Sequence, residues 1–153
     1  MAGIAARTSE ERLRLVRLPE SGPLAPQAPT PCLVEAPIVA AEQMTAEYWR
    51  LVLEAPGIAS RGCPGQFAML TIPPPGEIAP VLPRPMAIYA FDDVAGTIEI
   101  VYRIVGEGTR RLTARRSGDA MTVVGPLGRG FVLPPGARRI LLLGRGIGTC
   151  SLT

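Results

Sequence analysis

Residues 97–112, TIEIVYRIVGEGTRRL, carry the pattern that decides the fold. Every second residue from Ile98 to Ile104 is large and mainly apolar, which predicts a β-strand over 97–104 with one face in a core. Glycines at 106 and 108 then lead into a short helix, predicted over 106–115. Because the first N–H groups of a helix have no partner within it, this stretch predicts a positively polarised corner at the end of a strand.

Short apolar or alternating segments on both sides of this stretch predict further strands. Glycine and proline together account for 17 + 17 = 34 of the 153 residues without a three-residue period, which is typical of many turns rather than collagen. Six short strands with one helix, at this chain length, predict a six-stranded antiparallel barrel. The other five predicted strands are 33–41, 48–54, 66–72, 86–91 and 120–124.

The composition excludes several classes of chemistry. The chain has no histidine or lysine, and its 16 basic residues are all arginine, so it cannot supply a Ser-His-Asp triad, a histidine-ligated metal or a Schiff-base lysine. The basic residues are interspersed with 13 acidic ones and leave a net charge of +3, which disfavours nucleic acid as a partner. Cys32, Cys63 and Cys150 lie far apart and predict reduced thiols in a cytoplasmic protein. No apolar run is long enough to cross a membrane.

Three regions differ in character along the chain. Residues 1–31 form an N-terminal extension that ends in a proline-rich linker, and residues 9–15 fit either a helix or a strand. Residues 32–136 contain the predicted barrel. Residues 137–153 contain the apolar run 140–143 and a glycine turn, which is how a parallel α/β domain begins. Since a βαβ unit needs about 30 residues, we expect this domain to be truncated or completed by another chain.

Two features of the sequence are suited to a phosphate group. The segment GEGTR at 106–110 combines the helix start near Gly108 with the hydroxyl of Thr109. Arg84 lies between two prolines at the entry to a strand, and its guanidinium can bind a phosphate through two hydrogen bonds. Each feature has an ordinary alternative, because the first also fits a simple helix cap and the second a solvated surface arginine.

Six motifs follow one another along the chain: PGQF at 64–67, RPMAIY at 84–89, VYR at 101–103, GEGTRRL at 106–112, GPLGRGF at 125–131 and LLLGRGIG at 141–148. Their order resembles the flavin domain of the ferredoxin–NADP reductase superfamily, and within it the electron-transfer subunit family of dihydroorotate dehydrogenases. The resemblance implies an antiparallel Greek-key barrel that binds FAD, followed by a nicotinamide-binding α/β domain and, in that subfamily, by four cysteines that hold an iron–sulfur cluster.

The resemblance also implies roles for individual residues. Arg84 would pair with the flavin pyrophosphate, to which Gly108 and Thr109 would donate hydrogen bonds. The isoalloxazine and ribityl groups would be lined by Pro85, Met86 and Ala87, and Val101, Tyr102 and Arg103 would lie along the cofactor. For Tyr102 a second interpretation stays open, namely a core aromatic that faces inward together with Ile100.

The chain departs from the superfamily pattern at three places. Met86 and Ala87 stand where an aromatic residue and a serine or threonine are usual, so a side-chain hydrogen bond to the flavin is lost at position 87 and we expect an altered flavin potential. Arg145 and Ser151 stand where glycine and proline are expected. The sequence contains no downstream cysteine cluster, and Cys150 fits a small buried residue better than a redox thiol.

These observations predict an FAD-binding electron-transfer module of an NAD(P)H-linked oxidoreductase, passing electrons between a nicotinamide and an acceptor. NAD(P) would bind only if the second domain is supplied, so we expect little NAD(P)H turnover by this chain alone. The expected partner is a redox protein or the missing NAD(P)-binding half, with self-association through the apolar run 140–143 as a further expectation. Alternatives are a non-catalytic barrel scaffold and a reductase of free flavin, and the choice between FAD and FMN stays open.

Overall fold

A computed structural model describes residues 30–72, 82–133 and 135–152 of the chain. The predicted extension 1–31, apart from its last two residues, and the proline loop 73–81 lie outside the described residues. The strands are β1 (Cys32–Gln43), β2 (Tyr48–Glu54), β3 (Phe67–Leu70), β4 (Arg84–Ala87), β5 (Ala90–Asp92), β6 (Thr97–Arg103) and β7 (Ala120–Leu127). The helices are α1 (Pro56–Ala59), α2 (Glu107–Leu112) and a 3-10 helix over Gly146–Ser151.

The seven strands form one antiparallel sheet in the order β4-β3-β7-β1-β2-β6-β5. Its two edges, β4 and β5, are consecutive in the chain and are joined by two residues. Ile88 donates its N–H to the carbonyl of Gln66 beside β3 (3.1 Å), and Tyr89 donates to the carbonyl of Glu99 in β6 (2.7 Å). The same short segment therefore links both edges of the sheet and curls it into the predicted antiparallel barrel.

The strand count is seven rather than the predicted six because the predicted strand 86–91 is divided at Ile88. Its first half pairs with β3 and its second half with β6. Residues 86–91, MAIYAF, are apolar or aromatic throughout, so nothing in the sequence marks the change of partner. Counted as one bent strand, β4 and β5 give the six-stranded arrangement.

The core lies inside this barrel and is made of alternating residues of its strands. In β6, Ile98, Ile100 and Tyr102 are buried, as the sequence pattern predicts. Burying one such aliphatic side chain stabilises the fold by about 1.5–3 kcal/mol. The core is completed by α1, which the sequence did not predict, through Ile58.

The three phenylalanine side chains of the protein each lie against a glycine. A Cβ added to Gly62 would meet the ring of Phe91, with Cζ at 2.7 Å, and one added to Gly65 would meet the ring of Phe131 at 3.1 Å. The ring of Phe67 lies in the same way on Gly128, which has a positive φ of 81°. These glycines allow aromatic rings to pack directly on the main chain.

The apolar run 140–143 forms no strand within the described residues. The side chains of Leu141 and Leu143 are 64% and 78% exposed, because no described strand pairs with this run. It is followed by the 3-10 helix, whose Gly146 lies close to the hydroxyl of Tyr48. The start of an α/β domain at 137–153 therefore stays a prediction.

Among the described residues, no helix has the length and apolar character needed to span a membrane.

Candidate functional site

An open seam lies between β4 and the second half of β6. β5 pairs with β6 only from Ala90 to Asp92, and the bond from Tyr89 to Glu99 is the last link in that direction. Beyond it, β4 pairs with β3 alone and residues 100–103 of β6 pair with β2 alone, although β4 and β6 approach each other. We call this gap, between residues 84–87 and residues 100–103, the seam. Two strand edges with unpaired main-chain groups therefore face each other and can hydrogen-bond a ligand.

Arg84 and Gly108 lie in contact at one end of the seam. A Cβ added to Gly108 would stand 2.9 Å from Nε of Arg84 and 3.5 Å from its Cζ, so the guanidinium rests on the first turn of α2 only because residue 108 is glycine. Arg84 donates one hydrogen bond to the carbonyl of Leu82 (2.6 Å), and it has no carboxylate partner within the described residues. The two groups that the sequence analysis assigned to one phosphate are thus brought together.

The start of α2 offers further donors at the same place. No hydrogen bond within the described part of the chain engages the main-chain N–H groups of Glu107, Gly108 and Thr109. Such N–H groups carry the positive end of the helix dipole. Together with the guanidinium of Arg84 they form a cluster of positive and hydrogen-donating groups that suits an anion.

The hydroxyl of Thr109 has a different position from the one expected. It accepts the N–H groups of Val105 (2.9 Å) and Gly106 (3.2 Å) and donates to the carbonyl of Gly106 (3.1 Å), and the residue is buried. A hydroxyl has one hydrogen and two lone pairs, so these three bonds use its full capacity. In the structure it orders the loop before α2, and the main-chain N–H of Thr109 is the donor of this residue that no hydrogen bond within the described residues engages.

The three predicted residues of β6 have separate environments. Tyr102 faces the core with Ile100, as the second interpretation of the sequence had it, and burial raises the pKa of its hydroxyl above the ordinary value of 10.0. Arg103 is exposed and forms an ion pair with Glu47, with Nε and Oε2 3.0 Å apart. Val101 is half-buried on the opposite face from Tyr102. Along this strand, the main chain and Val101 are the groups best placed to line the seam.

The four predicted residues of β4 alternate between two faces. Arg84 and Met86 stand opposite the buried Leu70 and Ala68 of β3, and Met86 packs on the core. Pro85 and Ala87 belong to the other face. Because the side chains alternate, the main chain is the part of β4 that runs along the whole length of the seam.

One polar residue inside the PGQF motif received no role in the sequence analysis. Gln66 is fully buried, and its side chain bonds to two main-chain groups of different loops. A polar residue directly before a buried strand could have signalled this. The described residues contain no cluster of three or more metal-ligating side chains. Cys150, which was expected to be buried, is half-buried, and this partial burial raises the pKa of its thiol.

Sequence comparison gives consistent relatives, although no protein-family model matches the chain. It is 31% identical over 118 residues to the dihydroorotate dehydrogenase B (NAD(+)) electron transfer subunit of Desulforamulus reducens, and 38% identical over 117 residues to that of Geobacillus thermodenitrificans. The matches cover 77% and 74% of this chain and 44% and 45% of those proteins. The chain is a relative of these electron-transfer subunits. It spans less than half of their length.

Solved structures share the fold. A ferredoxin reductase of carbazole 1,9a-dioxygenase matches with a TM-score of 0.60 and 23% identity, over 72% of this chain and 33% of that one. An NADH-dependent reduced ferredoxin–NADP oxidoreductase matches with a TM-score of 0.57 and 24% identity, over 64% and 34%. The mainly antiparallel β fold predicted from the sequence is therefore confirmed.

Proposed function

We propose that the chain is an FAD-binding electron-transfer module, with the cofactor diphosphate held between Arg84 and α2 and the flavin ring along the seam. The contact between the Arg84 guanidinium and Gly108 carries this proposal. A diphosphate carries two negative charges, and it is matched by a guanidinium without a carboxylate partner in the described chain and by unengaged helix N–H groups. The relatives' description as electron-transfer subunits supports it.

The residues of this chain would bind and orient the cofactor rather than move protons. Bound flavin supplies the hydride-accepting and electron-donating chemistry, and the protein supplies position and electrostatics. The unpaired edges of β4 and β6 offer main-chain hydrogen bonds, and Val101 and Pro85 offer apolar surface. A protein without histidine or lysine can perform this task, because no side chain has to act as an acid or base.

The electron donor and acceptor lie outside this chain in the proposal. We infer that a nicotinamide-binding half, supplied by further sequence or by another chain, delivers hydride from NAD(P)H, and that a redox partner protein takes the electrons. The relatives' name includes NAD(+) and calls them subunits, which supports both inferences. We also infer that the protein works in the cytoplasm, which its three free thiols support.

Equilibrium titration of the purified chain with FAD tests the proposal. We expect saturable binding, a yellow protein and quenching of Trp49, which is the single tryptophan of the sequence. An Arg84→Met variant should bind FAD about 10- to 100-fold more weakly, because a charge-assisted hydrogen bond contributes about 1.5–3 kcal/mol. Arg61→Met is the matched control, since Arg61 is exposed and, among the described residues, its side chain bonds only to the carbonyl of Gly57 (2.7 Å).

Two results would argue against the proposal. A wild-type chain that stays colourless at high FAD concentration would favour the non-catalytic scaffold. Equal losses of affinity in the Arg84 and Arg61 variants would show that FAD binds somewhere other than the Arg84 corner. Turnover of NAD(P)H by the chain alone would contradict the inference that a second half is needed.

A further inference from the structure

Gln66 is the one fully buried side chain with a polar head group within the described residues. Its Oε1 accepts the N–H of Cys63 (2.9 Å), and its Nε2 donates to the carbonyl of Gly128 (3.0 Å). One amide therefore ties the turn before β3 to the loop after β7. The Gln66 side chain is shielded from water, although Gly128 itself is exposed, and an unmade hydrogen bond of a buried amide is costly. The two bonds therefore fix the position of residue 66.

The main chain of Gln66 continues the link to the seam. Its carbonyl accepts the N–H of Ile88, which is the residue that follows β4 and is itself fully buried. The next residue, Tyr89, already donates to β6. The bond between Ile88 and Gln66 is thus the last connection of this segment to the β3 side, and it sets the point at which the chain leaves β3 for β6.

The geometry points to Gln66 as a positioning residue for β4, which forms one edge of the seam. Its side-chain amide fixes the position of residue 66, and the main-chain carbonyl of that residue holds the bend at Ile88. The bend in turn keeps β4 apart from β6. If residue 66 were released, the bend could move along the segment, and the edges of 84–87 and 100–103 would change their separation. This inference rests on the proposed function for its consequence on FAD, but the placement of the bend is independent of any ligand.

The test compares the wild-type chain with Gln66→Leu, which removes both side-chain bonds at similar size. The control is Ile38→Val, which trims a buried side chain of β1, a strand that pairs only with β2 and β7. Hydrogen exchange without ligand is measured first. We expect the amides of Ile88 and Tyr89 to exchange at least 10-fold faster in Gln66→Leu than in Ile38→Val, after correction for the loss of global stability.

FAD binding is measured next on the same three proteins. We expect at least 10-fold weaker binding in Gln66→Leu than in the control, together with an altered visible circular dichroism spectrum of the bound flavin, which a merely structural role would not produce. Unchanged protection at Ile88 and Tyr89 would overturn the inference whether or not FAD binds. If Gln66→Leu exchanges faster but the wild-type chain does not bind FAD, the placement of the bend is upheld and the proposed function is rejected.

If Gln66→Leu does not fold, Gln66→Met takes its place. Methionine keeps the length of the side chain and adapts its shape, but it has no hydrogen for the carbonyl of Gly128 and only a weak sulfur acceptor for Cys63. We expect the same local increase in exchange at Ile88. Protection equal to that of the wild type would overturn the inference in this variant as well.

Discussion

Replacing Gly108 with alanine would test the contact on which the diphosphate site depends. Gly108 lies in the first turn of α2 and does not have a positive φ, so alanine fits the backbone there. The new Cβ would stand 2.9 Å from Nε of Arg84, whereas ordinary van der Waals contact begins at 3.4 Å. The guanidinium must therefore withdraw by about half an ångström or more.

The effects of this change on stability and on affinity should have opposite signs. Alanine in place of glycine favours a helix by up to about 1 kcal/mol, so the apoprotein should be no less stable than the wild type. Displacing the guanidinium should cost one charge-assisted hydrogen bond to the diphosphate, about 1.5–3 kcal/mol. That corresponds to FAD binding about 10- to 100-fold more weakly.

A double-mutant cycle with Arg84→Met isolates this coupling. Affinity is measured by FAD titration and stability by thermal unfolding of the apoprotein, for the wild type, both single variants and the double variant. The double variant should bind FAD as Arg84→Met does, because the side chain that alanine displaces is already gone. An equal loss from Gly108→Ala with and without Arg84 would refute the reasoning, as would a single variant of wild-type affinity.

Three further changes have defined outcomes. Ala87→Ser should raise the midpoint potential of bound FAD by about 20 mV, since a hydrogen bond of about 1 kcal/mol to the reduced ring corresponds to that shift; an unchanged potential would reject a role for this position. Gly62→Ala should lower the free energy of unfolding, measured by urea titration, by about 1–3 kcal/mol through overlap with Phe91. Adding Phe91→Leu should recover part of the lost stability. Losses of the two substitutions that simply add in the double variant would contradict the contact. Because the folded-state pKa of Tyr102 is raised, the stability contributed by its neutral hydroxyl is complete below pH 10.0 and is lost at higher pH. Tyr102→Phe should therefore lose less stability than the wild type between pH 9 and 11, and parallel curves would argue against burial of this hydroxyl.

Much of the barrel could be predicted because its strands obey a period of two. The strand over 97–104 and the helix after it were found within one to three residues of their observed bounds. Helix α1 was missed because four residues carry no periodic pattern, although Pro56 at its first turn is a local start signal. The division of 86–91 into β4 and β5 could not be found, since it depends on which strand each half meets.

The candidate site was predictable in its residue types and not in its contacts. Arg84 and Gly108 suggested a phosphate by their chemistry, but only the closure of the sheet brings them together. The hydrogen bonds of the Thr109 hydroxyl are local, whereas the burial of Gln66 depends on a loop 62 positions away in sequence. Local chemistry is visible in a sequence, and the bonds between distant segments are not.

The segment from Arg84 to Asp92 closes the sheet and also forms one wall of the seam. A molecule bound there would bridge an interval of the described barrel where neighbouring strands do not pair. At a concentration 100 times its dissociation constant it would stabilise the fold by about 2.7 kcal/mol. If FAD is that molecule, as we propose, cells short of flavin would hold this protein in its most easily degraded form, and its abundance would follow the supply of FAD.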